Sequence, residues 1–292
     1  MSESSNVKIL VDPTTIVLSG GGMHGFNLLG ALAYLEDKEY LKNVTTYIGT
    51  SIGGMIGYLM LLGYTPIELV IYFQRKNIGN SLGQFNLISM INGEGASSFS
   101  PLQTHLEKLT VEKIGQFITM GDLKEKLGKR LVVCTYNISE DRVEYLTPET
   151  HPTLPCLTAL RMTSNLPFVF EDFKYLGSYY IDGAVADNFP IGQVSEGEKA
   201  IGISLETKSK FVKKSEENNF LEYIFHLMLI PINKDFDKKV EDANRSGHNV
   251  IRLSKKSFTR IIDFSMNSRD TLDLFSDGYR DAKKFYEPES DD

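Results

Sequence analysis

Gly49-Thr50-Ser51-Ile52-Gly53 constrains this chain more than any other segment. It follows an apolar pair, Tyr47-Ile48, and runs directly into Met55, Ile56 and the stretch Tyr58 to Leu62. That order reads as strand, sharp turn, helix. A Gly-x-Ser-x-Gly at such a turn holds its serine hydroxyl out into a site. Gly49 and Gly53 are expected where a Cβ would strike the neighbouring strand or helix. Ser51 is thus a candidate nucleophile; the plainer role for it is a serine that caps the following helix.

The flanking sequence extends the pattern. Thr14 to Leu18 is a short β-branched run ending in Ser19-Gly20-Gly21-Gly22, a buried parallel strand entering a loop. Gly25 to Glu39 carries Phe26, Leu28, Leu29, Ala31, Leu32 and Leu35 close to a helical period. Thr45 to Ile48 is a second strand, and the elbow opens a helix through Leu62. Thr65 and Pro66 then cap and begin a third helix, Ile67 to Lys76. Leu131 to Tyr136 and Arg142 to Leu146 read as strands, and Leu157 to Met162 as a short helix. Tyr179-Tyr180-Ile181 leads into Asp182-Gly183-Ala184, and Lys199 to Leu205 is a further strand. Strands alternating with helices predict an α/β sheet, mostly parallel.

No repeat or linker divides the chain, so residues 12–286 are expected to form one domain, with disordered tails at 1–11 and 287–292. Gly79 to Ser100 is rich in Gly, Ser and Asn but includes Phe85, Leu87, Ile88 and Met90, as a lid would. Phe220 to Ile232 reads as a core helix, with an interfacial surface as the alternative. Lys208, Lys210, Lys213 and Lys214 precede it and suit anionic lipid.

A net charge of −7 argues against nucleic-acid binding through a broad basic face. Two cysteines, Cys134 and Cys156, make no disulfide framework and read as buried thiols in a reducing compartment. The polar N-terminus lacks a signal-peptide layout, and the longest apolar stretches are too short to span a bilayer. These features predict a soluble cytoplasmic protein, for which peripheral membrane contact stays open.

A serine attacks a carbonyl only with a base for its proton and donors for the oxyanion. Gly20-Gly21-Gly22-Met23-His24-Gly25 follows the strand beside the elbow strand. Its backbone N–H groups at a helix N-terminus are candidate oxyanion donors. Asp182, flanked by Gly183, is the candidate base, with burial tuning its pKa; the plainer alternative is a turn aspartate. The glycine loop also satisfies the dinucleotide fingerprint, yet the second strand ends in Gly49-Thr50-Ser51 rather than in a ribose-binding carboxylate. His226 and His248 follow Asp182 in the order of a triad, but Asn244 to Asn249 reads as an exposed turn.

The set Gly-Gly-Gly-x-x-Gly, Gly-Thr-Ser-Ile-Gly and Asp-Gly-Ala resembles the patatin-like phospholipase family. Arg161-Met162-Thr163-Ser164 with Pro167, Asp187-Asn188-Phe189-Pro190, and the ending from Asp263-Phe264 through Gly278 to Ala282 extend the likeness over Thr14 to Tyr286. The resemblance implies a three-layer α/β/α sandwich and a Ser51–Asp182 dyad. Gly20, Gly21 and Gly22 would bind the oxyanion, joined by the Ile52 N–H, with Gly49, Gly53, His24, Gly25 and Gly183 in support. It implies phospholipase A-type cleavage of acyl esters through an acyl-enzyme, with no metal or cofactor. Implied partners are membrane phospholipid or another lipid ester and, for some members, a protein activator. One departure is His24, where the family usually has Arg or Lys. It raises the alternative of a catalytically weak homologue that binds lipid or protein.

Overall fold

The computed structural model describes residues 12–76, 95–206, 227, 230, 236–254 and 266–288. In chain order the first half gives β1 (Thr15–Leu18), α1 (Gly25–Asp37), β2 (Thr46–Thr50), α2 (Ile52–Leu61) and α3 (Pro66–Lys76). Then come α4 (Ser100–Ile114), α5 (Met120–Leu127), β3 (Arg130–Asn137), β4 (Arg142–Leu146) and α6 (Cys156–Thr163). The remainder is β5 (Phe173–Tyr175), β6 (Ser178–Asp182), β7 (Ala200–Glu206), α7 (Phe236–Arg245), β8 (Asn249–Ser254) and α8 (Ser268–Tyr286).

The strands form one sheet in the order β5-β6-β3-β2-β1-β7-β8, with β4 also on β3. Strands β3, β2, β1, β7 and β8 run parallel, and β4, β5 and β6 add antiparallel pairs at one side. Side chains alternate across the pleat. Ile16 and Leu18 join one core and Val17 the other; Tyr47 opposes Ile48, and Leu131 and Val133 oppose Val132. On the first face lie α1, α2, α6 and α8; on the second, Val240 and Ala243 of α7 pack with Phe189 and Ile191. Two buried faces make three layers, as the resemblance implied. Helix α1 is buried from Gly25 to Leu35 because it is enclosed by the sheet, α3 and α8.

The decisive register is on β3. Its edge at Val133 to Asn137 is taken by β4, so β2 and β6 must share the other edge. Thr50 of β2 pairs with Cys134, and Asp182 of β6 pairs with Thr135. The end of the elbow strand and the end of the Asp182 strand therefore meet head to head.

Helices α4, α5 and α7 and strands β5 and β8 are additions to what the sequence reading identified. Most of the Gly79 to Ser100 segment, the Phe220 to Ile232 helix apart from Leu227 and Ile230, the four lysines before it, and the 1–11 tail lie outside the described residues. Glu287, read as the start of a tail, instead follows the last turn of α8 and pairs with Lys38 at 2.5 Å. Among the described residues, no single helix is long and apolar enough to cross a membrane.

Candidate active site

Ser51 sits between β2 and α2 with φ 54° and ψ −126°, a backbone conformation that side chains other than glycine rarely adopt. Such strain costs about 1–3 kcal/mol and persists only where neighbours over-determine it. They do so here. A Cβ on Gly49 would lie 2.6 Å from the Gly53 carbonyl carbon, and one on Gly53 would lie 2.6 Å from the Leu18 and Ser19 oxygens. The Ser51 N–H donates to Thr163 Oγ1 at 3.0 Å, and the Thr163 hydroxyl donates to the Cys134 carbonyl. Thr50 Oγ1 donates to the Asp187 carbonyl at 2.8 Å.

Asp182 ends β6 and is fully buried. Its N–H donates to the Asn165 carbonyl at 2.9 Å, and Oδ1 accepts from the Ala184 N–H at 2.8 Å. Oδ2 is buried without a hydrogen-bond partner among the described residues. Burial pushes the carboxyl up to about 7, opposed in part by the nearby Ser51 hydroxyl and the Ala184 N–H. Gly183 lets the chain turn directly against β3, because a Cβ there would collide with the Cys134 carbonyl.

The glycine loop closes the other side. Its Gly20 lies against Ser51, where a Cβ would come within 3.3 Å of the serine Cβ. However, the Gly20 N–H donates to the Asn188 carbonyl at 3.0 Å, so that amide is committed. Gly21 and Gly22 lead a short 3₁₀ turn into α1. The α1 and α2 N-termini touch, since a Cβ on Gly25 would meet Ile52 Cγ1 at 2.6 Å. The positive dipole ends of the two helices converge near Ser51. His24 is buried, with Nδ1 3.1 Å from Asn27 Oδ1, and Asn27 Nδ2 donates to the Leu274 carbonyl at 2.8 Å. The imidazole thus joins the loop to α8.

A cavity of about 130 Å³ reaches from Ser51 and Gly22 between the helices. Met23, Phe26 and Leu29 of the loop and α1, Met55 and Ile56 of α2, and Phe170 form much of its wall. Phe73 and Gln74 of α3, Leu102 of α4, and Met266, Ser268 and Thr271 close the far side. The lining is apolar except for a few hydroxyl and amide groups, as suits a hydrocarbon chain.

A sequence model described as patatin-like phospholipase matches residues 16–195, more than half of the chain. The chain belongs to the patatin-like phospholipase family. It is 37% identical over 183 residues to "Probable lipid hydrolase 463L" of Invertebrate iridescent virus 6, a match that covers 61% of each chain. Thus the aligned part spans less than two thirds of that relative. YqhO of Bacillus subtilis is 27% identical over 294 residues, covering 92% of this chain and 96% of its own. Among solved structures, ExoU of Pseudomonas aeruginosa in its complex with SpcU superposes with a TM-score of 0.56 at 17% identity. That fit covers 95% of this chain and 52% of the other. The patatin-like fold is therefore present from β1 to α8.

The arrangement brings together Ser51, Asp182, Gly20, Gly21, Gly22, Ile52 and the supporting Gly49, Gly53, Gly25 and Gly183. It leaves His248 elsewhere: Nδ1 accepts from the Ala200 N–H at 3.3 Å, at the N-terminal ends of β7 and β8, whereas Ser51 lies at a C-terminal end. Asp187 and Asn188 shape the supporting turn, Asp187 through Tyr145 at 2.8 Å and Lys239 at 2.7 Å. Thr163 and Asn165 were not assigned roles from the sequence, although Thr163 falls in the segment that carried the resemblance. Thr163 holds the Ser51 amide through its hydroxyl, whereas Asn165 holds Asp182 through its main-chain carbonyl, which leaves little signature in sequence.

Proposed function

We propose that this chain is a lipid acyl hydrolase of phospholipase A type, with Ser51 as nucleophile and Asp182 as general base. The single observation that carries this reading is the register on β3, which sets Asp182 beside Ser51 with a buried, unpaired carboxylate oxygen. Asp182 takes the proton from Ser51 Oγ as that oxygen bonds to the ester carbonyl carbon. The oxyanion that forms is held by the N–H groups of Gly21, Gly22 and Ile52. Gly20 drops from the donor set because its N–H is committed to Asn188. As the ester C–O bond breaks, Asp182 returns the proton to the leaving oxygen, and the acyl group stays on Ser51. Water then gives Asp182 a proton, attacks the acyl carbon, and the fatty acid leaves as Ser51 is reprotonated.

The apolar cavity supports an acyl chain as the bound part of the substrate. Peripheral contact with a lipid surface is supported by exposed apolar residues at the catalytic end of the sheet, among them Ile138, Phe168 and Leu176. The test is fatty-acid release from mixed phospholipid vesicles by the wild type, Ser51→Ala and Asp182→Asn. Both substitutions should lower kcat on the order of 10⁴-fold or more while the protein stays folded. Release by folded Ser51→Ala at the wild-type rate would remove the dyad.

A further inference from the structure

Buried polar side-chain atoms almost always have a partner, and each exception requires an account. Among the described residues three lack one: Asp182 Oδ2, Ser164 Oγ and Arg130 Nη1. Arg130 begins β3 opposite Thr46, at the far end of the sheet from Ser51. The other two are at the site. Ser164 is 3% exposed and lines the same cavity as Ser51.

Its place in the chain is specific. Thr163 accepts the Ser51 N–H, and the Asn165 carbonyl accepts the Asp182 N–H. Ser164 is the residue between them. The Ser164 carbonyl accepts from the Leu166 N–H at 2.9 Å, so the backbone here is fixed and the hydroxyl is the group left to act. A hydroxyl can donate one hydrogen bond, and the cavity that Ser164 lines is where a substrate atom could accept it.

Which substrate atom it meets follows from the sides of the site. The amide donors of Gly21 and Gly22 come from the loop after β1, on one side of β2. Ser164 and Asp182 come from the β3 side. An ester attacked by Ser51 presents its oxyanion to the amides and its acyl chain to the apolar cavity. The remaining substituent is the alkoxy oxygen, which must face Asp182 to receive its proton. We infer that Ser164 is a catalytic hydrogen-bond donor to the leaving-group oxygen, steadying the alkoxide as the acyl C–O bond breaks. Asp182 supplies the proton that the alcohol carries away, and Ser164 keeps its own. This rests on the acyl-hydrolase reading above.

A donor to the leaving oxygen matters most when that oxygen is basic. Ser164→Ala should lower kcat/KM for ethyl or glyceryl decanoate about 10- to 100-fold, and for p-nitrophenyl decanoate less than about threefold. Ser164→Thr, which restores the hydroxyl, should recover the alkyl esters. Fluorophosphonate labelling of Ser51 should continue in Ser164→Ala, and melting should match the wild type, since no protein hydrogen bond is lost. Equal losses on both ester types, or none, would overturn the assignment while leaving the dyad standing. So would an unchanged ester ratio with a displaced acid limb of the pH profile, which would mean that Ser164 serves Asp182. Failure of the wild type both to label and to turn over any ester would instead remove the acyl-hydrolase reading, and this inference with it.

Discussion

At the scale of single residues, Asp182 is the most informative group. Its carboxyl is raised from 3.8 to about 7 by burial, so it is poised to exchange a proton near neutral pH. In the proposed mechanism Asp182 is the general base and must be ionised, so kcat/KM should fall as the pH drops below about 7. The same shift has a cost in stability, with a definite sign. Between the unfolded and folded values the native state holds a proton that the unfolded chain releases. Stability from this group is full below about pH 4 and is lost as the pH rises through 7. Asp182→Asn removes that loss. Its thermal midpoint should exceed that of the wild type at pH 8, by roughly 2–4 kcal/mol in stability, and converge with it toward pH 4. A gap of the same size at both pH values would show that ionisation is not the cause. Ser51 makes a parallel case through its φ of 54°. Ser51→Gly should be inactive yet melt higher, by about 0.5–1 kcal/mol, because glycine accepts that backbone without strain.

At the scale of elements, the turn between β5 and β6 is set against its own stability. Its two residues, Leu176 and Gly177, have φ of 47° and 95°, as a type I′ hairpin requires. Asn-Gly is the favoured pair there; this chain places a leucine that is 89% exposed. Because β6 runs antiparallel to β3 and ends at Asp182, the turn projects past the catalytic end of the sheet. Leu176→Asn should raise stability by about 0.5–1 kcal/mol and weaken binding to phospholipid vesicles in sedimentation assays. Tighter folding with unchanged vesicle binding would leave the leucine without a lipid role. The same scale shows which elements were legible. The elbow, the strand before the glycine loop and β7 read clearly because they are fully buried, so their apolar runs are unbroken. Helix α7 did not, since its sequence is mostly charged and it buries only Val240 and Ala243. Helix α5 carried a readable signal, the Thr119–Asp122 capping box, that the reading passed over.

At the scale of the whole molecule, motif and site have different reaches. The residues to which the proposed mechanism gives chemistry were legible because each lies in a short local pattern. Their proximity is implied only by the family resemblance and not by the local patterns, because it depends on β2 and β6 sharing one edge of β3. The cavity was least legible of all. Its far wall comes from Met266, Ser268 and Thr271, beyond residue 195 where the family match ends. What places that wall is the packing of α8 on α1 at two glycines. A Cβ on Gly30 would collide with the Phe275 carbonyl, and one on Gly278 with the Asn27 carbonyl. The helices therefore cross with their backbones in contact, and Asn27 ties His24 to the same crossing. Gly278→Ala should force α8 outward, at about 1–3 kcal/mol in stability. The displaced helix carries Thr271 with it, so the cavity proposed to hold the acyl chain widens, while Ser51 and Asp182, fixed by the sheet, stay in place. Hydrolysis of long-chain p-nitrophenyl esters should fall well below that of the acetate ester, mainly through KM. Equal losses on both would mean that α8 supports the fold as a whole and has no separate part in binding the chain.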